Sequence, residues 1–200
     1  MSNALNKDEW DDTRLVALLQ KGSNEAFSVL IDRYKARLFR LALGITGDRE
    51  ESLDILQEVF LKVHQGIAQF KAEARLYTWL HRITVNECLN WKRRWKRRFK
   101  WHHQPFERDE GGDYPEMGSE DYLPETLYAE KELERRLWQE VGRLPEEARA
   151  VFVLKEVEGL SYDEIADVLK IKKGTVSSRL FYARQRLRDA LAPLIGDLEP

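Results

Sequence analysis

Seven cations, Lys92, Arg93, Arg94, Lys96, Arg97, Arg98 and Lys100, fall within nine positions. Trp91, Trp95, Phe99 and Trp101 are interleaved with them. Cations at that density follow a phosphate backbone, while aromatic rings stack on unpaired bases or wedge at a duplex junction. A solvated helix face would explain the charges alone, and core packing the rings alone. Neither explains both on one stretch beside Asn86, Asn90 and Arg94. The chemistry this implies is nucleic-acid binding, with single strand and duplex both open.

A second set lies near the C-terminus. At about 100° per residue, Ser177, Ser178, Phe181, Tyr182 and Gln185 share one helix face, opposite Val176, Leu180, Ala183 and Leu187. Hydroxyls and an amide read base edges in a major groove, and an aromatic touches a thymine methyl. Arg179, Arg184 and Arg186 flank that face, where they can hold phosphates.

The chemistry of catalysis is missing. The chain has no Gly-rich phosphate loop, no nucleophile and base at a recognisable spacing, and no Cys/His cluster at metal spacing. No catalytic residue, metal, cofactor or small-molecule substrate is therefore expected. His64, His81, His102 and His103 are each read as satisfied or solvated, and Cys88 as a small buried apolar residue.

Helices must position these groups. Leu15, Leu18 and Leu19 mark a short one from Asp12 to Lys21, capped by Asp12 or Thr13 and broken at Gly22. A longer one starts at Ser23, with Phe27, Leu30, Ile31, Tyr34, Leu38, Leu41 and Ile45 at helical steps, and ends at Gly44 and Gly47. A third is expected over 50–63, then a connection over 64–74, then a helix from about Arg75 to Lys96 or beyond. Trp79, Leu80 and Ile83 read as core, though Trp79 could also be a contact. Residues 101–124 mix Gly, Pro, Asp and Glu, the composition of a flexible acidic linker. Helical spacing resumes near Glu125 with Leu133, Leu137, Val141 and Leu144, and again after Pro145 as far as Gly159. Ser161-Tyr162-Asp163-Glu164 has the form of a capping box. It opens a helix-turn-helix, whose second helix begins near Gly174. Lys170 stands where many such turns carry Gly; a left-handed backbone there would cost about 1–2 kcal/mol. The fold class is all-α: two small helical domains joined by a flexible linker.

Bulk properties fit this. Lys and Arg number 33 against 35 Asp and Glu, a net charge of −2, so any nucleic-acid affinity must come from local patches. The single cysteine makes no internal disulfide, and neither a signal peptide nor an apolar run of roughly 20 residues is visible. A cytoplasmic location is expected.

Several of these segments together resemble a known family. Ala26-Phe27 with Tyr34, then Leu53-Asp54-Ile55-Leu56-Gln57-Glu58-Val59-Phe60, then Phe70 through Tyr77-Thr78-Trp79-Leu80-His81-Arg82-Ile83 to Asn86, resemble region two of RNA polymerase sigma factors. Leu144-Pro145-Glu146, Gly159-Leu160-Ser161-Tyr162-Asp163-Glu164-Ile165-Ala166 and Gly174-Thr175-Val176-Ser177-Ser178-Arg179-Leu180 resemble region four. The combination is similar to the extracytoplasmic-function sigma factors, which keep only these two regions. It covers about residues 10–192.

The resemblance implies a region-two domain at 10–100, a linker at 101–126 and a region-four domain at 127–192. It implies core RNA polymerase and promoter DNA as partners, and an anti-sigma factor, often membrane-anchored. Asp54, Gln57, Glu58 and Phe60 would dock on the polymerase. Phe70, Lys71, Ala72, Glu73 and Ala74 would hold a base flipped from the minus-ten element, with Asn86 also contacting it. Asn90, Arg93, Arg94 and Arg97 would follow the adjacent DNA. Lys173, Thr175, Ser177, Ser178, Arg179, Phe181 and Tyr182 would meet the minus-thirty-five element. Many relatives carry Arg at the position of Ser177 and an Arg-like residue at that of Tyr182. Guanine readout is thereby weakened, and a shifted promoter preference is expected. A stand-alone helix-turn-helix regulator and a helical interaction adaptor are the competing classes.

Overall fold

The computed structural model describes residues 10–71, 75–99 and 125–196, and every element among them is helical. The order is α1 (Asp12–Gln20), α2 (Asn24–Thr46), α3 (Arg49–Gly66), a 3₁₀ turn (Ile67–Gln69), α4 (Leu76–Phe99), α5 (Glu125–Arg143), α6 (Glu146–Phe152), a π turn (Val153–Val157), α7 (Tyr162–Leu169) and α8 (Lys173–Gly196). The expected linker, residues 101–124, lies outside the described residues, as do Ala72, Glu73 and Ala74.

Side-chain caps set the helix starts. Asp11, one residue before the expected cap, accepts from the Arg14 amide at 2.7 Å, Ser23 from Ala26 at 3.2 Å, and Asp48 from Glu51 at 3.1 Å. Each satisfies an amide that the first turn leaves without a partner, typically worth about 1 kcal/mol. Gly47 ends α2 in the left-handed region at φ 73°. Gly44 does not end it: α2 runs through to Thr46. The third helix also outruns its expected end at Val63, reaching Gly66.

Helices α1–α4 form one group around Leu15, Leu30, Leu38, Val59, Val63 and Leu80, all fully buried. Truncating one such leucine to alanine costs about 2–5 kcal/mol. Helices α5–α8 form a second group around Leu154, Ile165, Val176, Leu180 and Ala183.

The two groups are docked. The C-terminal half of α2 lies against α5, α6 and the π turn, and the N-terminal part of α4 against α7. Every residue from Leu41 to Thr46 is buried, so this end of α2 has no solvent face. A helix buried all round must be apolar all round, and Leu-Ala-Leu-Gly-Ile-Thr carries no charge. At Gly44 a β-carbon would stand 2.9 Å from a methyl of Val153, so the helices approach only because none is there. Arg149 on α6 donates to the Ile45 carbonyl at 3.1 Å, satisfying part of the end of α2 across the junction.

Candidate nucleic-acid interface

The position of α8 is set by the turn before it. In the expected capping box, the Glu164 amide donates to Ser161 Oγ at 3.2 Å and the Ser161 amide to Glu164 Oε2 at 2.9 Å. The Ser161 amide and hydroxyl hold the Glu164 carboxyl below the usual carboxylate range. Lys170 is left-handed, φ 56° and ψ 43°, the only non-glycine residue with positive φ among those described. Its amide closes α7 on the Ala166 carbonyl, and Ile171 donates to the same oxygen at 3.1 Å.

That turn points α8 outward. Val176, Leu180, Ala183 and Leu187 are buried. On the opposite face Ser177 and Ser178 are exposed, Phe181 is 72% exposed and Tyr182 44%. Two large aromatics in solvent beside two hydroxyls are not explained by packing, and their chemistry suits the edges of bases. Thr175 and Arg179 are half-buried at its margins, and Lys173 is paired with Asp163 at 2.9 Å. Gln185, expected on this face, is half-buried and donates to Asp189 at 2.8 Å. Arg184 is held by Glu156 at 2.6 Å. Exposed pairs of this kind are worth only about 0.2–1 kcal/mol, so both cations can be redirected to phosphates.

On α4, Asn86, Asn90, Arg93 and Arg94 are exposed along one side, while Val85 and Cys88 on the other are buried. Burial pushes the Cys88 thiol up, which keeps it unreactive. Arg97 lies on the same helix, but its side chain falls outside the described residues, as do those of Trp95 and Phe99. Trp91 is half-buried against the core, so packing is part of its role. Phe70 is half-buried, its ring 5.0 Å from that of Trp79, which is thereby tied to the loop as well as to the core. Gln20 donates to the Phe70 carbonyl at 2.8 Å and pins the start of the loop, where Lys71 is exposed. An open cleft of about 790 Å³ runs beside it, edged by Arg33, Arg37, Arg75, Tyr34 and Tyr77.

On α3, Asp54, Gln57 and Glu58 are exposed together. Leu53 at 44% and Leu61 at 55% exposure stand with them. The helical spacing of Leu53 with Leu56, Phe60 and Val63 predicts a buried stripe, but Leu53 faces solvent instead; Leu61 stands outside that spacing. Phe60 is half-buried edge-on to Phe27, ring centroids 6.5 Å apart, so it holds the helix down as well as edging the acidic face.

The largest omission is at the junction between the helix groups. His81, read as simply satisfied, is fully buried, with Nε2 2.9 Å from Glu158 Oε2. Arg37 Nε donates to the same oxygen at 2.7 Å and the Tyr77 hydroxyl at 3.0 Å. The Glu158 side chain is 1% exposed. Burial pushes its carboxyl up, but the hydrogen bonds from His81 and Arg37 outweigh that and hold it below the usual carboxylate range. Nothing in the spacing of residues 37, 77, 81 and 158 announces this cluster.

An all-helical chain that pairs a basic, amide-bearing helix with a separate helix-turn-helix defines a DNA-binding protein of two modules. Models of known families place it further. Sigma-70 region 2 matches residues 30–98, and Sigma-70, region 4 matches residues 134–187. The RNA polymerase sigma-H factor of Pseudomonas aeruginosa is 33% identical over 93% of this chain and 96% of its own. The ECF RNA polymerase sigma-E factor of Haemophilus influenzae is 33% identical over 94% and 99%. The chain belongs to the ECF RNA polymerase sigma factors. Its fold matches the structure of CnrH in complex with the cytosolic domain of CnrY, with a TM-score of 0.65, 22% identity, and 91% and 97% of the two chains covered. It also matches the sigma factor RpoE in complex with the anti-sigma factor NepR from Bartonella quintana, at 0.67, 21%, 83% and 96%.

Proposed function

We propose that this sigma factor divides its work among three faces. The α3 face, Asp54, Gln57, Glu58 and Phe60 with Leu53 and Leu61, docks on core RNA polymerase. Acidic groups rimming exposed leucines suit a helical partner that presents cations around an apolar seam. The loop from Phe70 to Ala74, with Asn86, Asn90, Arg93, Arg94 and Arg97, takes the minus-ten element and its flipped base. Flipping costs a few kcal/mol, which stacking and hydrogen bonds must return. The face of α8, with Lys173, Thr175, Ser177, Ser178, Arg179, Phe181 and Tyr182, reads the minus-thirty-five element.

The two DNA modules, residues 10–100 and 127–192, are joined through 101–126. Each binds weakly alone, and polymerase makes them act together through effective concentration. An anti-sigma factor holds the protein back until its signal arrives, as the complex of the RpoE relative suggests. The chain contributes no catalytic group; RNA synthesis belongs to the polymerase. The site of action is the cytoplasm. No described helix is long and apolar enough to cross a membrane.

The observation that carries this reading is the exposure of Phe181 and Tyr182 beside Ser177 and Ser178 on a helix whose other side is fully packed. Run-off transcription with purified core polymerase on a promoter library tests it. Specific transcripts that require this protein are expected. Duplex binding without transcripts would point to a stand-alone regulator instead.

A further inference from the structure

The Glu158 cluster is assembled unequally. All three donors to Oε2 belong to the first helix group: Arg37 on α2, Tyr77 and His81 on α4. Only the anion comes from the second. The donors also hold one another. The Arg37 guanidinium stands 4.3 Å from the centre of the Tyr77 ring, on whose other contact the His81 ring lies 3.8 Å away, centre to centre. His81 Nδ1 is 2.8 Å from the Tyr77 carbonyl and Nε2 2.9 Å from the Glu158 carboxylate; both partners only accept, so the ring donates to both as the doubly protonated imidazolium. Apart from the Nε2 bond, these contacts do not involve Glu158. The donor set is therefore a preformed seat for an oxyanion, and Glu158 is what fills it when the modules are docked.

The seat adjoins nucleic-acid machinery. Arg37 and Tyr77 also edge the cleft that contains Phe70 and Arg75. A carboxylate oxygen and a phosphodiester oxygen accept from the same donors in the same way. The π turn and Gly159, at φ 68°, bring Glu158 there; its amide reaches back to the Val153 carbonyl at 3.1 Å. We propose that Glu158 is a built-in substitute for DNA: it occupies a seat formed by Arg37, Tyr77 and His81 that takes a backbone phosphate of single-stranded DNA when region four moves away. This rests on the reading that the first module meets the minus-ten strand. It adds a contact outside the residues assigned there, together with the group that blocks it.

The test uses the full chain and a fluorescein-labelled, mixed-sequence single-stranded oligonucleotide, titrated at several salt concentrations. Small-angle X-ray scattering on the same samples reports whether the modules are docked. Glu158→Gln keeps the shape and removes the charge. It should enlarge the radius of gyration and tighten oligonucleotide binding at least threefold. One added phosphate contact should steepen the slope of log affinity against log salt by about 0.7. Adding Arg37→Gln should abolish both gains while leaving the modules apart. Gly44→Leu, which wedges against Val153, opens the docked form without touching the seat and should reproduce the gain, again lost with Arg37→Gln. It serves if Glu158→Gln does not fold. Opened variants with unchanged affinity and salt slope would overturn the proposal, as would a gain that survives Arg37→Gln, or a Glu158→Gln protein that stays docked. Run-off transcription by the unmodified protein tests the sigma function on which this rests, so its failure is distinguishable from failure of the proposed seat.

Discussion

Helices α4 and α8 both carry a face proposed for DNA, yet docking treats them differently. The face of α8 stays in solvent, with Phe181 and Tyr182 uncovered. The exposed residues of α4 begin only at Asn86; its first turns, through Tyr77 and His81, are held under Glu158. Pairing of the modules thus hides one end of one reader and leaves the other open. Two readers that each bind weakly, as proposed, would gain from such a difference. If both were free, the chain would scatter over non-specific DNA; if both were covered, polymerase would have to open the protein before it could sample any promoter.

The widest effect should come from a third face that docking also leaves open. Asp54→Arg with Glu58→Arg should abolish core polymerase binding, by 100-fold or more in a pull-down titration, with the melting temperature unchanged. Retained binding would remove α3 as the docking helix. Next, Phe181→Ala with Tyr182→Ala should lower promoter affinity of the holoenzyme 10- to 100-fold. The mixed-sequence single-strand affinity of the free chain should not change. A matching loss in both assays would mean that the two helices do not read separate parts of the DNA.

Acid should act on the junction before it acts on α8 packing. The Glu158 carboxyl is held below its ordinary range by its donors. Its contribution to docking is therefore complete above the ordinary carboxylate pKa and lost as pH falls through its depressed docked value. Glu164 in the capping box is lowered too and titrates in the same direction, with Arg75 and His81 in its field. Scattering between pH 7 and pH 3 should show the modules separating at the acid end while helical circular dichroism persists. The Glu158→Gln protein should lack the separation step but keep the loss due to Glu164. A radius of gyration independent of pH in the unmodified protein would mean that the carboxylate does not hold the junction.

The smallest effect concerns the turn before α8. Lys170→Gly removes the clash of a β-carbon in a left-handed residue and should stabilise by about 1 kcal/mol, net of the added flexibility of the unfolded chain. That amounts to roughly 2–4 °C in melting temperature for a chain of this size. Promoter affinity should stay the same. A fall in affinity would mean that Lys170 itself touches DNA, enlarging the α8 face beyond its helix.

Much of this was legible without coordinates, because it is local. The stripe from Phe27 to Ile45, the caps at Ser23 and Ser161, and the outward set Ser177, Ser178, Phe181 and Tyr182 follow from 3.6 residues per turn and from the needs of unpaired amides. Lys170 stands in the sequence where many such turns carry Gly, but whether its backbone is left-handed is set by the fold, which makes it so. Gly44 looks like a stop in the sequence because a glycine in a helical pattern signals an end or a close approach alike, and only the partner helix distinguishes them. The uncharged run from Leu41 to Thr46 was a usable sign of burial on all sides.

Helix positions, their polar and apolar sides and the outward face of α8 were thus determined by the sequence alone, since each depends on neighbours within about four positions. Which helix ends meet was decided only by the tertiary structure. Glu158 is separated from Tyr77 by 81 positions and from Arg37 by 121. Its charge became tolerable in a buried place only when three donors converged on it, and no local pattern encodes a convergence of that kind.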